Sequence, residues 1–270
     1  MITFVADKNG KLVKLALKNS VDLSYSALNK LLRNKDIKVN GKRVKEDVSI
    51  TAGDRVEIFY TVPVQEKYTV IYKDENITVI DKKAGYTSEA VADDLKAHGE
   101  SYFIHRLDRN TAGVMVFANN KSAETELLRG FKARTFDKYY TAIVVGRPPE
   151  KEGVLEAYLL KDSATATVKI YDVKKDGAVK IKTGYTLIES DGETSVLTVR
   201  LYTGKTHQIR AHLAHISCPI VGDGKYGDSA FNKSHGAKEL QLFSDSITFH
   251  FTKDDILSYL DGKTFTRGKV

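Results

Sequence analysis

The segment 1–60 carries apolar positions at helical spacing, followed by short runs typical of strands. The predicted elements are helices over 12–17 and 27–32, hairpin strands over 37–39 and 43–44, and a closing strand over 55–60. Ser24 or Ser26 provides a hydroxyl that can cap the second helix. Asn40-Gly41 tolerates the two positive φ angles that a type I′ turn needs, so it predicts the hairpin turn. Residues 1–60 are therefore predicted to form a small domain of two helices and a β-hairpin.

A second pattern begins after the segment 61–68, in which Pro63 breaks regular structure and predicts a linker. Short apolar runs rich in β-branched residues now dominate, with one helical segment among them. The predicted strands are 69–72, 77–80, 114–117, 139–145 and 196–201, and the predicted helix is 121–134. Residues 69–270 are therefore predicted to be an α+β domain, with a mixed, largely antiparallel β-sheet and flanking helices.

Composition narrows the class of protein. The chain has 42 Lys and Arg against 35 Asp and Glu, and the segment 1–60 holds 12 against 7. A basic excess concentrated in one domain favours polyanionic partners such as nucleic acid. The one cysteine, Cys218, cannot form an internal disulfide, which favours a reducing compartment. The sequence shows no signal peptide and no apolar stretch near the roughly 20 residues that span a bilayer, so we expect a cytoplasmic protein without a membrane partner.

Residues 105–113, HRLDRNTAG, place a carboxylate between two arginines directly before an apolar strand. The cations of Arg106 and Arg109 favour the ionised form of Asp108. An ionised carboxylate can act as a nucleophile or a base. The alternative is a turn in which Asp108 caps Asn110 or Thr111 and the arginines remain in solvent.

Residues 201–215 contain Gly204, which permits a tight turn, and Thr206, a plausible helix start. Lys205, His207 and Arg210 can then converge on an anionic group at the positive end of the helix. A metal site built from His207, His212 and His215 is the competing interpretation. Their spacing does not place all three on one narrow helical face, and no Cys-x-x-Cys or His-Glu-x-x-His accompanies them, so no metal is predicted. An ordinary surface helix is the third possibility.

Two further segments are ambiguous by themselves. Tyr139 and Tyr140 are adjacent on a predicted strand, so they point to opposite faces and only one can line a cleft. A tyrosine ring can stack on a base and its hydroxyl can donate a proton, although packing in the core explains such a residue equally well. The segment 222–227 is rich in glycine but lacks the spacing of a phosphate-binding loop, and is predicted to be a loop.

Taken together, these segments resemble the RluA family of pseudouridine synthases. The matching motifs are HRLDRNTAG, KYYTAIVVG, TGKTHQIRAHLA, PIVGDGKYG and LQLFSDSITFHF, in this order. The earlier stretch LSYSALNKLLRNKDIKVNGKRV resembles the alpha-L RNA-binding domain. The resemblance implies an enzyme that isomerises uridine to pseudouridine in structured RNA without a cofactor or metal. Ribosomal RNA, of the large subunit, is favoured as substrate over transfer RNA, and the chain is expected to act as a monomer.

The resemblance also implies roles for individual residues. Asp108 becomes the catalytic nucleophile, Tyr140 stacks on the uracil and serves as acid or base, and Arg210 pairs with Asp108. Arg106 enters the RNA helix as the target base leaves it. Further expected substrate contacts are His105, Arg109, Thr111, Lys205, His207 and Ile209. The expected RNA contacts of the first domain are Lys30, Arg33, Lys35, Lys38, Lys42 and Arg43.

Two matters stay open at this stage. Asp108 can attack the anomeric carbon or the uracil ring, or can remove a proton from the sugar. A different class of function also remains, namely a non-catalytic RNA-binding or ribosome-assembly protein that keeps the fold.

Overall fold

A computed structural model describes residues 1–19, 23–60, 66–162 and 164–268. The chain divides into two compact units, Met1–Gln65 and Glu66–Val270. Most of the predicted linker, residues 61–65, lies outside the described residues, and the first strand of the second unit begins at Tyr68.

The first unit packs two helices against a small antiparallel sheet. Its elements are β1 (Ile2–Val5), β2 (Gly10–Lys11), α1 (Leu12–Asn19), α2 (Tyr25–Arg33), β3 (Ile37–Val39), β4 (Lys42–Val44), β5 (Ser49–Ile50) and β6 (Arg55–Ile58). The main sheet has the order β1-β6-β3-β4, and β2 pairs with β5. Apolar side chains of both helices and the sheet form its core, among them Leu12, Leu28, Ile37 and Val56.

Local signals in this unit are confirmed. Ser24 caps α2, because its hydroxyl accepts a hydrogen bond from the Ala27 amide at 3.2 Å. Asn40 and Gly41 both have positive φ, 48° and 79°, as the type I′ turn requires. Two helices and a hairpin were nevertheless an incomplete prediction. Strand β1 was not predicted, and it completes the sheet by pairing with β6. It has four residues and its partner is far away along the chain, so the local sequence gives little indication of a strand.

The second unit contains one large sheet with helices on both faces. Its strands are β7 (Tyr68–Lys73), β8 (Ile77–Lys82), β9 (Tyr102–Phe103), β10 (Ala112–Ala118), β11 (Asp137–Val145), β12 (Glu152–Asp162), β13 (Thr167–Tyr171), β14 (Val179–Ser190), β15 (Thr194–Leu201), β16 (Leu242–Thr248) and β17 (Thr264–Thr266). Its helices are α3 (Ser88–Ala97), α4 (Lys121–Ala133), α5 (Gln208–His215) and α6 (Ser229–Ser234), with a 3₁₀ turn at Ser258–Leu260.

The sheet order is β13-β12-β14-β15-β11-β16-β10-β8-β7, with β9 beside β10 and β17 beside β16. Every strand pair in the described residues is antiparallel except β10 with β16, which is a short parallel pair. This parallel pair joins the two antiparallel halves at the middle of the sheet. The predicted α+β class with a mixed, largely antiparallel sheet is confirmed.

Close contact at that junction depends on Gly113, whose φ is 123°. A Cβ atom at this position would lie 2.1 Å from the Ser244 carbonyl oxygen of β16. Only glycine therefore fits where β10 and β16 meet. The motif glycine follows Asp108 by five positions, so it fixes the strand that leads away from the loop carrying this carboxylate.

Each face of the large sheet is covered by its own apolar core. Ile209 and Leu213 of α5 pack with Tyr140 of β11 on one side. On the other side, Leu127 of α4 packs with Phe136. A β-bulge between Tyr139 and Tyr140 disturbs the pairing of β11 with β16, and bulges of this kind often adjust a side chain next to a functional site. No helix in the described residues is long and apolar enough to cross a membrane.

Candidate active site

A cleft on the α5 side of the sheet brings together the three segments singled out in the sequence. It is lined by Arg106, Leu107, Asp108, Thr111, Tyr140, Leu201, Gly204, Lys205, Thr206, His207, Gln208, Ile209, Arg210 and Leu242. These residues come from the loop before β10, from β11 and β16, and from the end of β15 with the start of α5. Segments far apart along the chain therefore share one depression.

Arg210 links two carboxylates at the base of this cleft. Its Nη1 donates to Oδ2 of Asp108 at 3.0 Å, while its Nε and Nη2 donate to the two oxygens of Asp223, each at 2.7 Å. A guanidinium in a fork with one carboxylate has a defined orientation. Asp223 therefore aims the remaining Nη1 of Arg210 at Asp108.

Burial and hydrogen bonding together shift the pKa values of Arg210 and Asp223. The Asp223 side chain is fully buried, and Arg210 is 8% exposed. Burial alone would lower the pKa of Arg210, but the hydrogen bonds with Asp223 and Asp108 raise it overall. Burial likewise acts to raise the pKa of Asp223, yet Arg210 and the amides of Lys225 and Tyr226 lower it overall. Arg210 and Asp223 are thus held in their charged forms.

The loop that carries Asp108 is fastened from below. The Thr111 amide donates to the Asp108 carbonyl at 3.0 Å, and the Ser88 hydroxyl bonds both the amide and the carbonyl of Leu107 at 2.9 Å. Lys82, which is fully buried, donates through Nζ to three carbonyl oxygens, those of Lys83, Tyr86 and Arg109. Burial lowers the pKa of Lys82 to about 8, against an opposing effect of the nearby Asp108 charge. These contacts hold the loop backbone, so the Asp108 carboxylate projects from a rigid support.

Tyr140 forms part of the apolar wall and is 6% exposed. Burial raises the pKa of its hydroxyl to about 12, a hydrogen bond with Ser244 opposes this rise, and the Asp108 charge adds to it. The hydroxyl therefore keeps its proton at neutral pH. Of the two adjacent tyrosines, it is Tyr140 that lines the cleft, whereas Tyr139 lies on the opposite face of the sheet with Arg200.

The turn into α5 differs from its prediction. The helix begins at Gln208 with His207 as its N-cap residue, rather than at Thr206, and His207 has a left-handed backbone with φ of 56°. Gln208 accounts for this, because its buried side chain accepts from the Lys205 amide at 3.2 Å and the Thr203 hydroxyl at 2.8 Å. It holds the turn in place of a capping hydroxyl.

Other residues expected to contact substrate lie in different positions. Thr111, Lys205, His207 and Ile209 line the cleft, and Arg106 stands at its rim with a 59% exposed side chain, 3.4 Å from Glu89. Arg109 is exposed, and its Nε donates to the Gly85 carbonyl at 2.9 Å outside the set of lining residues.

His105 also lies outside the cleft. Its Nε2 accepts from the Val116 amide at 3.1 Å, and its ring stacks on Phe131 of α4 at 4.5 Å. Burial lowers the pKa of His105 to about 3, so the ring is neutral. Its position is that of a packing residue outside the cleft.

The three histidines considered for a metal site have separate partners. His207 faces Asp108, His212 lies 3.0 Å from the Thr183 hydroxyl, and His215 lies 2.8 Å from Asp172. Burial lowers the pKa of His212 to about 4. Among the described residues, no group of three or more His, Cys, Asp or Glu side chains is placed to hold a metal ion.

The basic residues expected to bind RNA in the first unit follow α2 and the hairpin. Lys30 and Arg33 occupy the last turn of α2, and Lys38 faces Arg43 across the hairpin. Both of the latter approach the ring of Phe59, at 5.0 and 5.8 Å from its centroid. Lys30, Arg33, Lys35, Lys42 and Arg43 are exposed, and Lys38 is half-buried. We refer to these six residues as the basic cluster.

Three residues that support the site were not predicted from the sequence. Asp223 and Tyr226 lie in the segment predicted to be only a loop, and Lys82 lies at the end of β8. The pair Gly222-Asp223 was a usable signal for Asp223, since an acidic residue in a glycine-rich loop often caps its own backbone. Lys82 carried no clear signal, because it stands between Asp81 and Lys83 at the end of a strand, where charged residues are usually exposed.

Comparison with known proteins decides the family. A profile described as RNA pseudouridylate synthase matches residues 67–215. The chain belongs to the RNA pseudouridylate synthase family. It is therefore an RNA pseudouridine synthase, an isomerase, and the resemblance seen in its motifs is confirmed. The alpha-L domain in front remains a prediction.

Individual relatives agree. An uncharacterised RNA pseudouridine synthase of Aquifex aeolicus is 31% identical over 87% of this chain and 82% of its own length. The ribosomal large subunit pseudouridine synthase C of Vibrio vulnificus is 29% identical over 90% and 86%. The solved structure of human RNA pseudouridylate synthase domain containing 4 is 26% identical, with a TM-score of 0.56 over 66% of this chain and 83% of that one. Human RNA pseudouridylate synthase domain containing 1, 22% identical with a TM-score of 0.61 over 78% and 93%, shares the fold.

Proposed function

We propose that this enzyme isomerises specific uridines of large-subunit ribosomal RNA to pseudouridine, with Asp108 as its nucleophile. The substrate is supported by relatives from Vibrio vulnificus and Vibrio cholerae that are named ribosomal large subunit pseudouridine synthase C. The exposed basic cluster of the first unit also supports it, because each phosphate that a cation neutralises releases counterions. We place the reaction in the cytoplasm and expect the chain to act as a monomer.

The observation that carries the proposal is the carboxylate of Asp108 held by Arg210 beside the ring of Tyr140. Arg210 holds the carboxylate in place through the hydrogen bond from its Nη1 to Oδ2 of Asp108 at 3.0 Å. It contacts Oδ2, and the described residues donate no hydrogen bond to Oδ1. Oδ1 is thus the oxygen available to substrate.

The reaction breaks the bond between N1 of uracil and C1′ of ribose, turns the base, and joins C5 to C1′, while C5 loses its proton and N1 gains one. Asp108 starts this sequence by attack on C1′, by attack on the ring, or by removal of a sugar proton. Tyr140 stacks on the uracil, and its protonated hydroxyl donates to the base. No atoms of a second reactant enter the product, so the side chains need only hold, polarise and exchange protons.

The target nucleotide has to leave its helix to reach this cleft. Extrusion costs a few kcal/mol, and stacking on Tyr140 offsets part of that cost. Arg106 is exposed at the rim, so it can occupy the space the base vacates. Lys205, exposed beside the cleft, and the buried Thr111 complete the proposed contacts with the phosphate and sugar, and Ile209 contacts the base.

The test is substitution of Asp108 by Asn. We expect tritium release from large-subunit ribosomal RNA labelled at C5 of uridine to fall at least roughly 10³-fold, because the nucleophile is lost while the shape of the cleft remains. RNA affinity and the unfolding midpoint serve as controls and should stay near wild type. Release at the wild-type rate would remove Asp108 from the mechanism, and a preference for transfer RNA would change the substrate.

A further inference from the structure

His207 lies between the proposed nucleophile and a tyrosine of the loop after α5. Its Nε2 is 3.8 Å from Oδ2 of Asp108, and its Nδ1 is 2.9 Å from the hydroxyl of Tyr226. The side chain of His207 is 14% exposed and that of Asp108 17%, so water screens their interaction only partly. The ring of Tyr226 also lies 5.2 Å from the guanidinium of Arg210, so this tyrosine supports both neighbours of Asp108.

The hydrogen bonds of Tyr226 determine which nitrogen of His207 carries the proton. A backbone amide can only donate, and the Val168 amide donates to the Tyr226 oxygen at 2.8 Å. The described residues then offer the hydroxyl proton a single acceptor, Nδ1 of His207. The neutral imidazole therefore carries its proton on Nε2, which faces Asp108.

We propose that His207 is a positioning residue for Asp108, with its tautomer set by Tyr226 and the Val168 amide. This inference rests on the proposed role of Asp108. The Nε2–H group of His207 and Nη1 of Arg210 both point toward the same oxygen of Asp108, Oδ2. They orient the carboxylate so that Oδ1 faces the cleft. At 3.8 Å the imidazole does not form a hydrogen bond with the carboxylate, and its positioning role requires this distance to shorten when substrate fills the cleft.

The electrostatic environment agrees with a neutral ring. Burial lowers the pKa of His207, Asp108 and Asp223 oppose this effect, and Arg210 and Lys225 add to it. A neutral imidazole with the opposite tautomer would direct the lone pair of Nε2 at the carboxylate, which is repulsive. By donating to Nδ1, the Tyr226 hydroxyl favours the tautomer whose Nε2–H faces Asp108 over the tautomer whose Nε2 lone pair faces it.

The first measurement is nuclear magnetic resonance of the free enzyme labelled with 15N at histidine. Protonated and unprotonated imidazole nitrogens have well-separated 15N shifts, and His207 is assigned by its loss in the His207→Gln variant. We expect the Nε2–H tautomer in the wild type and a shift toward Nδ1–H in Tyr226→Phe. Tyr158→Phe is the control, because the Tyr158 hydroxyl in β12 forms no hydrogen bond with the described residues. A wild-type Nδ1–H tautomer, or no change in Tyr226→Phe, would overturn the inference.

The second measurement separates positioning from a structural role through two substitutions of His207. Asn tolerates the left-handed backbone and caps helices well, but its amide reaches only the place of Nδ1. Gln fits the backbone less well, yet its amide reaches the place of Nε2. We expect His207→Asn to lower kcat roughly 10- to 100-fold with little change in KM, and Gln to restore most of that loss. A merely structural role predicts the opposite order.

These outcomes are distinct from failure of the proposed function. If Asp108→Asn keeps its activity, the nucleophile is misassigned whatever His207 does. If Asp108→Asn is inactive but His207→Asn is at least as active as His207→Gln, Asp108 stands and the positioning role is wrong. The tautomer measurement is made on the free enzyme without RNA. Its result therefore does not depend on which uridine the enzyme modifies.

Discussion

At the scale of single residues, the site is built from charges that neutralise one another in a buried place. Asp223 is fully buried, and it accepts hydrogen bonds from Arg210 and from the amides of Lys225 and Tyr226. A buried carboxylate with this many donors costs little to keep ionised, whereas removal of one partner leaves a charge without compensation. Asp223 is thus the anchor of the site, although only Asp108 faces the cleft.

We expect Asp223→Asn to lower the free energy of unfolding at neutral pH by roughly 3 to 5 kcal/mol, because Arg210 loses its forked partner in a buried place. The pKa of Asp223 is lowered in the folded protein, so its stabilisation is present above the ordinary carboxyl pKa of 3.8 and is lost as pH falls through the lower folded value. The stability difference between wild type and variant should therefore shrink on acidification below about pH 4. Denaturant titrations from about pH 3 to 7 measure it, and a difference that grows toward acid would contradict the assignment.

At the scale of elements, the predicted strands are those whose sequence contains a regular run of apolar residues. The strands that were missed lack such a run and are defined only by pairing with other strands. The helix over 121–134 and the strand over 139–145 appear as Lys121–Ala133 and Asp137–Val145. The long strands β12 and β14 were not predicted, since their half-exposed faces alternate with charged residues and they depend on each other for pairing. The junction of β10 with β16 is likewise a tertiary contact, which Gly113 makes possible.

We expect Gly113→Ala to destabilise the second unit by at least about 2 kcal/mol and to abolish activity in the folded fraction. Its Cβ would meet the Ser244 carbonyl at 2.1 Å, and its φ of 123° is unfavourable for alanine. Gly268→Ala is the matched control, because a Cβ there meets nothing within 4 Å. Thermal unfolding of both variants measures the effect. Equal midpoints would show that the two strands separate easily.

At the scale of the whole molecule, the chain carries two units, each with its own core. The first unit has its own apolar cluster around Leu12 and Leu28, and the second is built around Met115 and Leu197. Charge is divided unevenly, since the segment 1–60 holds 12 basic against 7 acidic side chains. Under the proposed function, the first unit would supply most of the affinity for RNA and the second unit the chemistry.

We expect replacement of Lys30, Arg33, Lys42 and Arg43 by Gln to weaken RNA binding and to flatten its salt dependence. Each lost phosphate contact should reduce the slope of log affinity against log salt by about 0.7 to 0.9. The control replaces Lys174, Lys175, Lys233 and Lys253 of the second unit, all exposed, and so removes the same charge. Affinity from about 50 to 300 mM salt distinguishes them. Equal slopes for the two variants would mean that the basic cluster makes no specific contribution.

The class of fold and the hairpin turn at Asn40-Gly41 were predictable from the sequence alone, and its motifs singled out Asp108, Tyr140 and Arg210, which lie together in the cleft, since each has a strong local pattern or motif. Folding alone establishes that Tyr140 lines the cleft, that His105 packs behind it, and that Asp223 anchors Arg210. These facts depend on strand pairing, burial and hydrogen bonds between distant segments. A local pattern reports only backbone preference and polarity, whereas the ionisation and orientation of a side chain follow from the neighbours that folding brings to it.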